Sequence, residues 1–319
     1  MSKMKLTVAL VLTLGGGVVM GCPSAARAHD ISADQGLWGA YNSALLHAKY
    51  VDLTHAFSPN TPLGNDFAKL KFFPTLSART IPNVIKAGEP IIYETQGYEI
   101  SGYELSTDQI GTQLDPPAHG NEHGATISDL PPTFSVRPLV VINVADKVKA
   151  DPGYQASMDD IHDWEKQHGQ IPQGSVVMFR TDWYKNWSNP ERFKTRPFPG
   201  TQLEVLKYLH LERHILFHGH EPLDTDNTPN YASETWLMRN SFAQAEGVAN
   251  LDQMPESGGL IEIGFAKPEG GTGGLARFIG IAPSDWKYGV TIEQQPGAPL
   301  PTYTQPLRRD ADGVLRSPG

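Results

Sequence analysis

The sequence predicts a single mixed α/β domain. Apolar runs of strand length, VRPLVVINVADK (136–147), GSVVMFRTDW (174–183), ILFHGH (215–220), GLIEIGFAKP (259–268) and ARFIGIAP (276–283), alternate with helical patterns at MDDIHDWEKQHG (158–169) and QLEVLKYLHLERH (202–214). Strands that alternate with helices build layered α/β domains. No internal repeat and no long linker divides the 319 residues, so one ample core is expected.

In chain order, MSKMK is basic, and LTVALVLTLGGGVVMG is apolar but too short and Gly-broken for a membrane span. Ala26-Arg27-Ala28 places small residues at both positions a signal peptidase reads. Residues 1–28 are therefore expected to be a cleaved secretory signal, with a periplasmic or secreted mature protein. An uncleaved anchor and a lipidated Cys22 in VMGC are the alternatives. Cys22 is the one cysteine, so cleavage after Ala28 excludes disulfides, thiolate catalysis and cysteine-type zinc sites.

Residues 29–50 form an N-terminal arm, where ADQGLWGAYNSALLHAKY (33–50) places Leu37, Tyr41, Leu45 and Leu46 on one side of a helix. VDLTHAF (51–57) is a short strand, 58–90 a Pro-rich loop with short elements, and IIYETQGYEISGYELST (91–107) a hairpin or two strands. Gly169 is expected to end the helix that begins at Met158. RNSFAQAEGVANL (239–251) reads as helix in part, and PEGGTGG (268–274) as a flexible loop between the last strands. The domain proper is expected over 51–290. Residues 291–319, Pro-rich and polar, read as an extended tail that is loose or wraps a neighbouring subunit.

Removing the signal takes away three basic residues and no acid, leaving 23 basic against 35 acidic residues. No basic run tracks a phosphate backbone, so nucleic acid is disfavoured as a partner, and an anionic membrane surface with it.

The chemistry concentrates at QIGTQLDPPAH (109–119). In an extended segment Gln113 and Asp115 share a face, because side chains repeat every two residues. The Gly111-Thr112 turn can bring Gln109 round to join them. Pro116 and Pro117 stiffen the exit and fix where His119 points. An ordinary polar turn is the competing reading. A further alternative puts Asp115, His119 and His123, spaced by four around Glu122, on one helical face able to hold a metal. The prolines and Gly120 and Gly124 oppose it.

HGHEPLDTD (218–226) follows a buried strand, where α/β folds commonly build ligand sites. It offers His218, His220, Glu221, Asp224 and Asp226. Glu234 and Glu246, twelve apart, read from the residues alone as solvated helix acids. There is no G-x-S-x-G, no H-E-x-x-H and no G-x-G-x-x-G.

LSTDQIGTQLDPPAH resembles the signature of the cyclase family of metal-dependent hydrolases, the group of kynurenine formamidase and isatin hydrolase, which runs His-x-Gly-Thr-His-x-Asp-x-Pro-x-His. Gly111, Thr112, Asp115, Pro117 and His119 match. Gln109 and Gln113 stand where the family has histidine ligands. VDLTHAF, WEKQHGQIPQGSVVMFRTDWYKNW and AEGVANLDQMP resemble further family segments, the last placing Glu246 as a ligand and Glu234 where another ligand histidine belongs.

The resemblance implies a swivelling β/β/α domain, usually oligomeric, with a divalent zinc or manganese that hydrolyses an amide or lactone of a small substrate. The implied metal set is Gln109, Gln113, Asp115, Glu234 and Glu246, with Asp115 and His119 catalytic. His218, His220, Glu221 and Asp224 would orient the ligands through hydrogen bonds. An all-oxygen set favours manganese, magnesium or calcium over zinc. Zinc held by Glu234 and Glu246 with His119, His218 or His220 is a second option, and a metal-free Asp115–His119 pair a third. Trp183, Tyr184, Trp187 and Trp236 are expected in the pocket wall or in the core. The functions that follow are an exported hydrolase of a small cyclic or aromatic compound, a small-molecule-binding protein that has lost catalysis, or a metal-free lyase or dehydratase.

Overall fold

Eight strands form the main sheet: β1 (Lys49–Asp52), β2 (Gln113–Asp115), β3 (Val136–Asn143), β4 (Val176–Arg180), β5 (Phe217–His220), β6 (Ala243–Glu246), β7 (Gly259–Phe265) and β8 (Gly274–Ala282). They are hydrogen-bonded in the order β1-β8-β7-β3-β4-β5-β6-β2, and β8 pairs with β2 as well. Seven strands thus close into a barrel-like ring, and β1 flanks it on β8. The structure is a computed structural model that describes residues 35–64, 66–292, 300 and 302–317. The expected signal, Cys22 and the start of the arm lie outside the described residues.

β3, β4, β5 and β6 run parallel, and parallel neighbours need crossovers. Among the helices are α1 (Gly36–Ser43) in the arm, α2 (Met158–His168) between β3 and β4, α3 (Leu203–Lys207) between β4 and β5, and α4 (Ala232–Arg239) between β5 and β6. Ser157 and Asp160 form a capping box at the start of α2, which satisfies backbone donors the helix itself leaves open.

The strand period of two divides the ring residues into two cores. Leu114, Val141, Met178, Phe217, Ala245, Ile261 and Phe278 belong to one cluster that draws on all seven ring strands and fills the inside. The opposite faces of β3 and β4, through Val140, Ile142, Val177 and Phe179, pack on Ile161 and Trp164 of α2 and on Val205 of α3. The mixed α/β expectation holds.

Several local expectations do not. Among the described residues of 33–50 only Gly36–Ser43 is α-helical, and it buries none of its residues; Leu37 stands 87% exposed. Residues 91–107 are not a hairpin. Tyr93–Gln96 is a single helical turn ended by Gly97 at φ +75°. Ser101–Glu104 pairs instead with Lys71–Pro74, a partner hidden in the Pro-rich stretch. The helix of 202–214 passes into a π turn at Tyr208–Glu212. Ala243–Glu246 is a strand, not helix, because it is hydrogen-bonded on both sides, to β5 and β2; this context overrides the helical propensity of Ala, Gln and Glu. In the tail, Arg308–Arg309 and Leu315–Arg316 pair as a short ribbon. It docks on its own chain: Arg309 meets Glu99 at 2.6 Å, and Asn60 donates to Asp312 at 2.8 Å.

Candidate functional site

The candidate site lies on the outer face of the ring where β2, β6 and β5 run side by side. Leu114 and Ala245 oppose one another and point inward. Their neighbours must therefore point outward, and the register sets Asp115 opposite Gln244 and Gln113 opposite Glu246. His218, opposite Gln244 on β5, shares this face, as does His220.

Glycine makes the approach possible. Gly111 takes φ +62° and Gly247 φ +58°, and a Cβ on Gly247 would strike the Gly111 carbonyl. Thr112 Oγ1 donates to the Gly247 carbonyl at 2.6 Å across this contact. The turn brings Gln109 beside Gln113, as the sequence suggested. PEGGTGG, expected to be flexible, instead holds the turn in place. Asp108 accepts the backbone N–H groups of Thr272 and Gly273, each at 2.8 Å, and Gln109 Nε2 donates to the Thr272 carbonyl at 3.2 Å.

α4 closes the site from above. Asp226, fully buried, accepts the N–H of Ser233 at 2.8 Å and of Glu234 at 3.2 Å. It caps the helix start and favours it electrostatically. Glu234 is thereby aimed at the sheet, and its Oε1 lies 3.7 Å from His119 Nε2. His119 sits on a short 3-10 turn, Pro117–His119. The alternative helix through His123 does not form, and His123 is an exposed side chain.

A hydrogen-bond network joins the outward side chains. Gln113 Nε2 donates to Gln109 Oε1 and, at 2.9 Å, to Glu246 Oε2. Gln244 Nε2 donates to Glu246 Oε1 at 2.7 Å and to Asp115 Oδ2 at 3.3 Å. Burial pushes the Asp115 carboxyl upward, partly offset by the hydrogen bond from Gln244. Burial, then Asp115 and Glu234, push Glu246 up. Burial, then Asp224 and Asp115, push Glu234 up. Asp224 is raised to about 6 by burial, partly offset by Arg196. Several buried carboxyls crowd together, and each disfavours charge on the others.

These groups open on a cavity of about 510 Å³ lined by Gln109, Gln113, His119, Asp224, Glu234 and Glu246 on its polar side. Leu63, Phe67, Phe198, Leu223 and Tyr231 supply apolar walls, with Lys194 and Arg196 among them. The four aromatics expected in the wall are elsewhere. Trp183 is core, Trp187 stacks on His55 at 3.8 Å, Tyr184 donates to Asp252, and Trp236 packs by Phe242. Glu221 is turned away, accepting from Thr181 Oγ1 and the Tyr184 N–H. His218 and His220 stand behind Gln244, bonded to Thr225 Oγ1 at 3.2 and 3.0 Å. Neither reaches the cavity.

Glu246 is buried and Glu234 half-buried, rather than solvated. Gln244, Thr225 and Asp226 carry more of the site than the sequence reading gave them. The signal for Gln244 was its spacing of two from Glu246, identical to that of Gln113 and Asp115.

Asp115 Oδ1 and Glu234 Oε2 are buried acceptors with no hydrogen-bond partner. Leaving such oxygens bare is costly, and a hard divalent cation would satisfy both. Among the described residues no three Asp, Glu, His or Cys side chains stand together as a ready ion-binding cluster, and both oxygens of Glu246 accept amide donors. The donor chemistry fits an oxygen-preferring cation at Asp115 and Glu234, with the amide oxygens of Gln109 and Gln113 at hand.

A family model described as "Putative cyclase" matches residues 51–227. Isatin hydrolase from Roseibium aggregatum is 29% identical over 252 residues, covering 73% of this chain and 91% of the relative. Among solved structures, isatin hydrolase A from Ralstonia solanacearum superposes with TM-score 0.64 at 25% identity, covering 77% of this chain and 95% of that one. An isatin hydrolase bound to the product analogue thioisatinate gives TM-score 0.66 at 24% identity, covering 79% and 98%. A potential metal-dependent hydrolase with cyclase activity gives TM-score 0.54 at 18% identity, covering 73% and 98%. The latter two likenesses concern the fold.

Proposed function

The chain belongs to the cyclase family, and from that premise we propose that it is a hydrolase opening an amide or lactone bond of a small cyclic or aromatic compound, with an isatin-like ring as the first candidate. The observation that carries this reading is the convergence of His119, Glu234, Glu246 and the glutamines on one cavity, with Asp115 directly behind. Its size suits a small ring.

A divalent cation, manganese before zinc, would be held by Asp115 and Glu234 with help from Gln109, Gln113 and Glu246. When bound it supplies Lewis-acid polarisation of the carbonyl and a more acidic water. The chain's own residues do the rest. His119, oriented by Glu234, moves the proton between water and leaving group. Gln109 and Gln113 either complete that cation site through their oxygens or hold the substrate and water by hydrogen bonds. Phe67, Phe198 and Tyr231 bury the ring faces and exclude solvent. The same reading makes the mature protein, from residue 29, exported and homo-oligomeric.

A binding protein without turnover is the second reading. The amide donors on both oxygens of Glu246 favour it, because they occupy that carboxylate without a cation.

The test is elemental mass spectrometry on chelator-free protein purified from residue 29, followed by isatin hydrolysis. Near-stoichiometric manganese or zinc that is lost in Asp115→Ala, together with ring opening, supports the hydrolase. No metal after reconstitution with either ion removes the metal mechanism. Ligand capture without ring opening selects the binding protein.

A further inference from the structure

We propose that Gln244 and Thr225 are positioning residues that fix Asp115 and Glu246 relative to one another; the inference deepens the hydrolase reading and rests on it. Both are 0% exposed, so neither touches substrate.

The argument begins with which way the Gln244 amide faces. Its Nε2 lies 2.7 Å from Glu246 Oε1 and 3.3 Å from Asp115 Oδ2. Against ionised carboxylates a carbonyl oxygen in that position would face two acceptors, so the nitrogen lies there. The amide oxygen then faces Thr225 Oγ1, which donates to it. A hydroxyl has one proton. With that proton committed to Gln244, the Thr225 oxygen accepts from His218, whose Nε2 is 3.2 Å away. His218 Nδ1 is buried without a partner, as expected of the unprotonated nitrogen in this tautomer. His220 Nε2 lies 3.0 Å from the same oxygen and its Nδ1 3.2 Å from the Pro222 carbonyl; a ring that donates to that carbonyl gives Thr225 a second donor only when doubly protonated, so the orientation of Thr225 follows from Gln244 and His218 alone.

The result is a chain of fixed orientations from the HGHEPLDTD loop to the two carboxylates. Along His218, Thr225 and Gln244 each donor is committed to the next acceptor, so each orientation forces the next. Without Gln244, two buried carboxylates on adjacent strands would lose the neutral group that bridges them and would rotate apart. Buried partners of this kind change the affinity or activity of a site about 10–100-fold.

Thr225→Val keeps the shape and removes the hub, Gln244→Met keeps the length and removes the donors, and Thr225→Ser restores a hydroxyl. With isatin as the probe, Thr225→Val and Gln244→Met should lower kcat about 10–100-fold with KM within about twofold. Thr225→Ser should recover most of that loss. Equal kcat in Thr225→Val and the parent, or Thr225→Ser as impaired as Thr225→Val, overturns the proposal.

Crystal structures of the parent, Thr225→Val and Thr225→Ser give a reading that needs no turnover. Rotated Asp115 and Glu246 carboxylates in the valine variant, returned in the serine variant, support the clamp. Carboxylates that stay in place overturn it. If the parent does not open isatin, the isatin assignment fails on its own account and the structures alone decide the clamp.

Discussion

Glu221 is buried completely, and its environment dictates its protonation state. Thr181 Oγ1 donates to Oε2 at 2.8 Å and the Tyr184 N–H at 3.3 Å, while Oε1 has no partner. Burial outweighs those hydrogen bonds and raises the carboxyl from 4.5 to about 8. At neutral pH it is an uncharged acid. Between these two values the native state keeps a proton that the unfolded chain has released, so stability falls as pH rises through the window. From about pH 6 to about pH 9 the loss integrates to roughly 2–3 kcal/mol for this group. Glu221→Gln has the same shape and cannot ionise. Its stability relative to the parent should therefore improve by that amount over the same interval, whatever its offset at about pH 6. Urea denaturation of both proteins at the two pH values measures the difference of differences, in which the offset cancels. A gap that stays constant, or one that moves against the glutamine at high pH, would show that Glu221 is ionised in the native state and that the burial argument is wrong.

His210 is 3% exposed and stacked on Phe242 at 4.2 Å. Both its ring nitrogens lack partners, and burial lowers it to about 3. The unfolded chain takes up this proton first on acidification, so stability is lost as pH falls below about 6.5. His210→Phe should remove about 2 kcal/mol of the loss between about pH 7 and about pH 5, measured as a flatter melting profile. Arg309 holds Glu99, whose side chain is 4% exposed, in an ion pair at 2.6 Å. Arg309→Ala should cost about 3 kcal/mol by stranding that carboxylate and should expose the 302–317 arm to limited proteolysis. Adding Glu99→Leu should restore resistance, and failure to do so would count against the buried charge as the cause.

The fold was legible where burial alone decides the element. The runs at 139–142 and 176–179 are apolar and buried on both faces because one face fills the ring and the other meets helices, while 259–265 alternates, with Glu262 exposed; both patterns read as strands without knowledge of their partners. Ala243–Glu246 was illegible for the opposite reason. Its inward residues are two alanines, its outward residues are Gln244 and Glu246, and nothing local distinguishes this from an exposed helix turn. Only the neighbouring strands make it a strand. The site divides in the same way. Gln113 and Asp115 could be paired from a spacing of two, since one strand fixes both. The cross-strand partners of Asp115 and Gln113 depend on register, which the sequence of β2 does not contain. The direction of Glu234 depends on Asp226 capping α4, and the reversal of Glu221 depends on Thr181 from a strand 40 residues earlier. The motif therefore named the residues of one wall, while the residues that fix their orientation became visible only when strands distant in sequence were laid side by side.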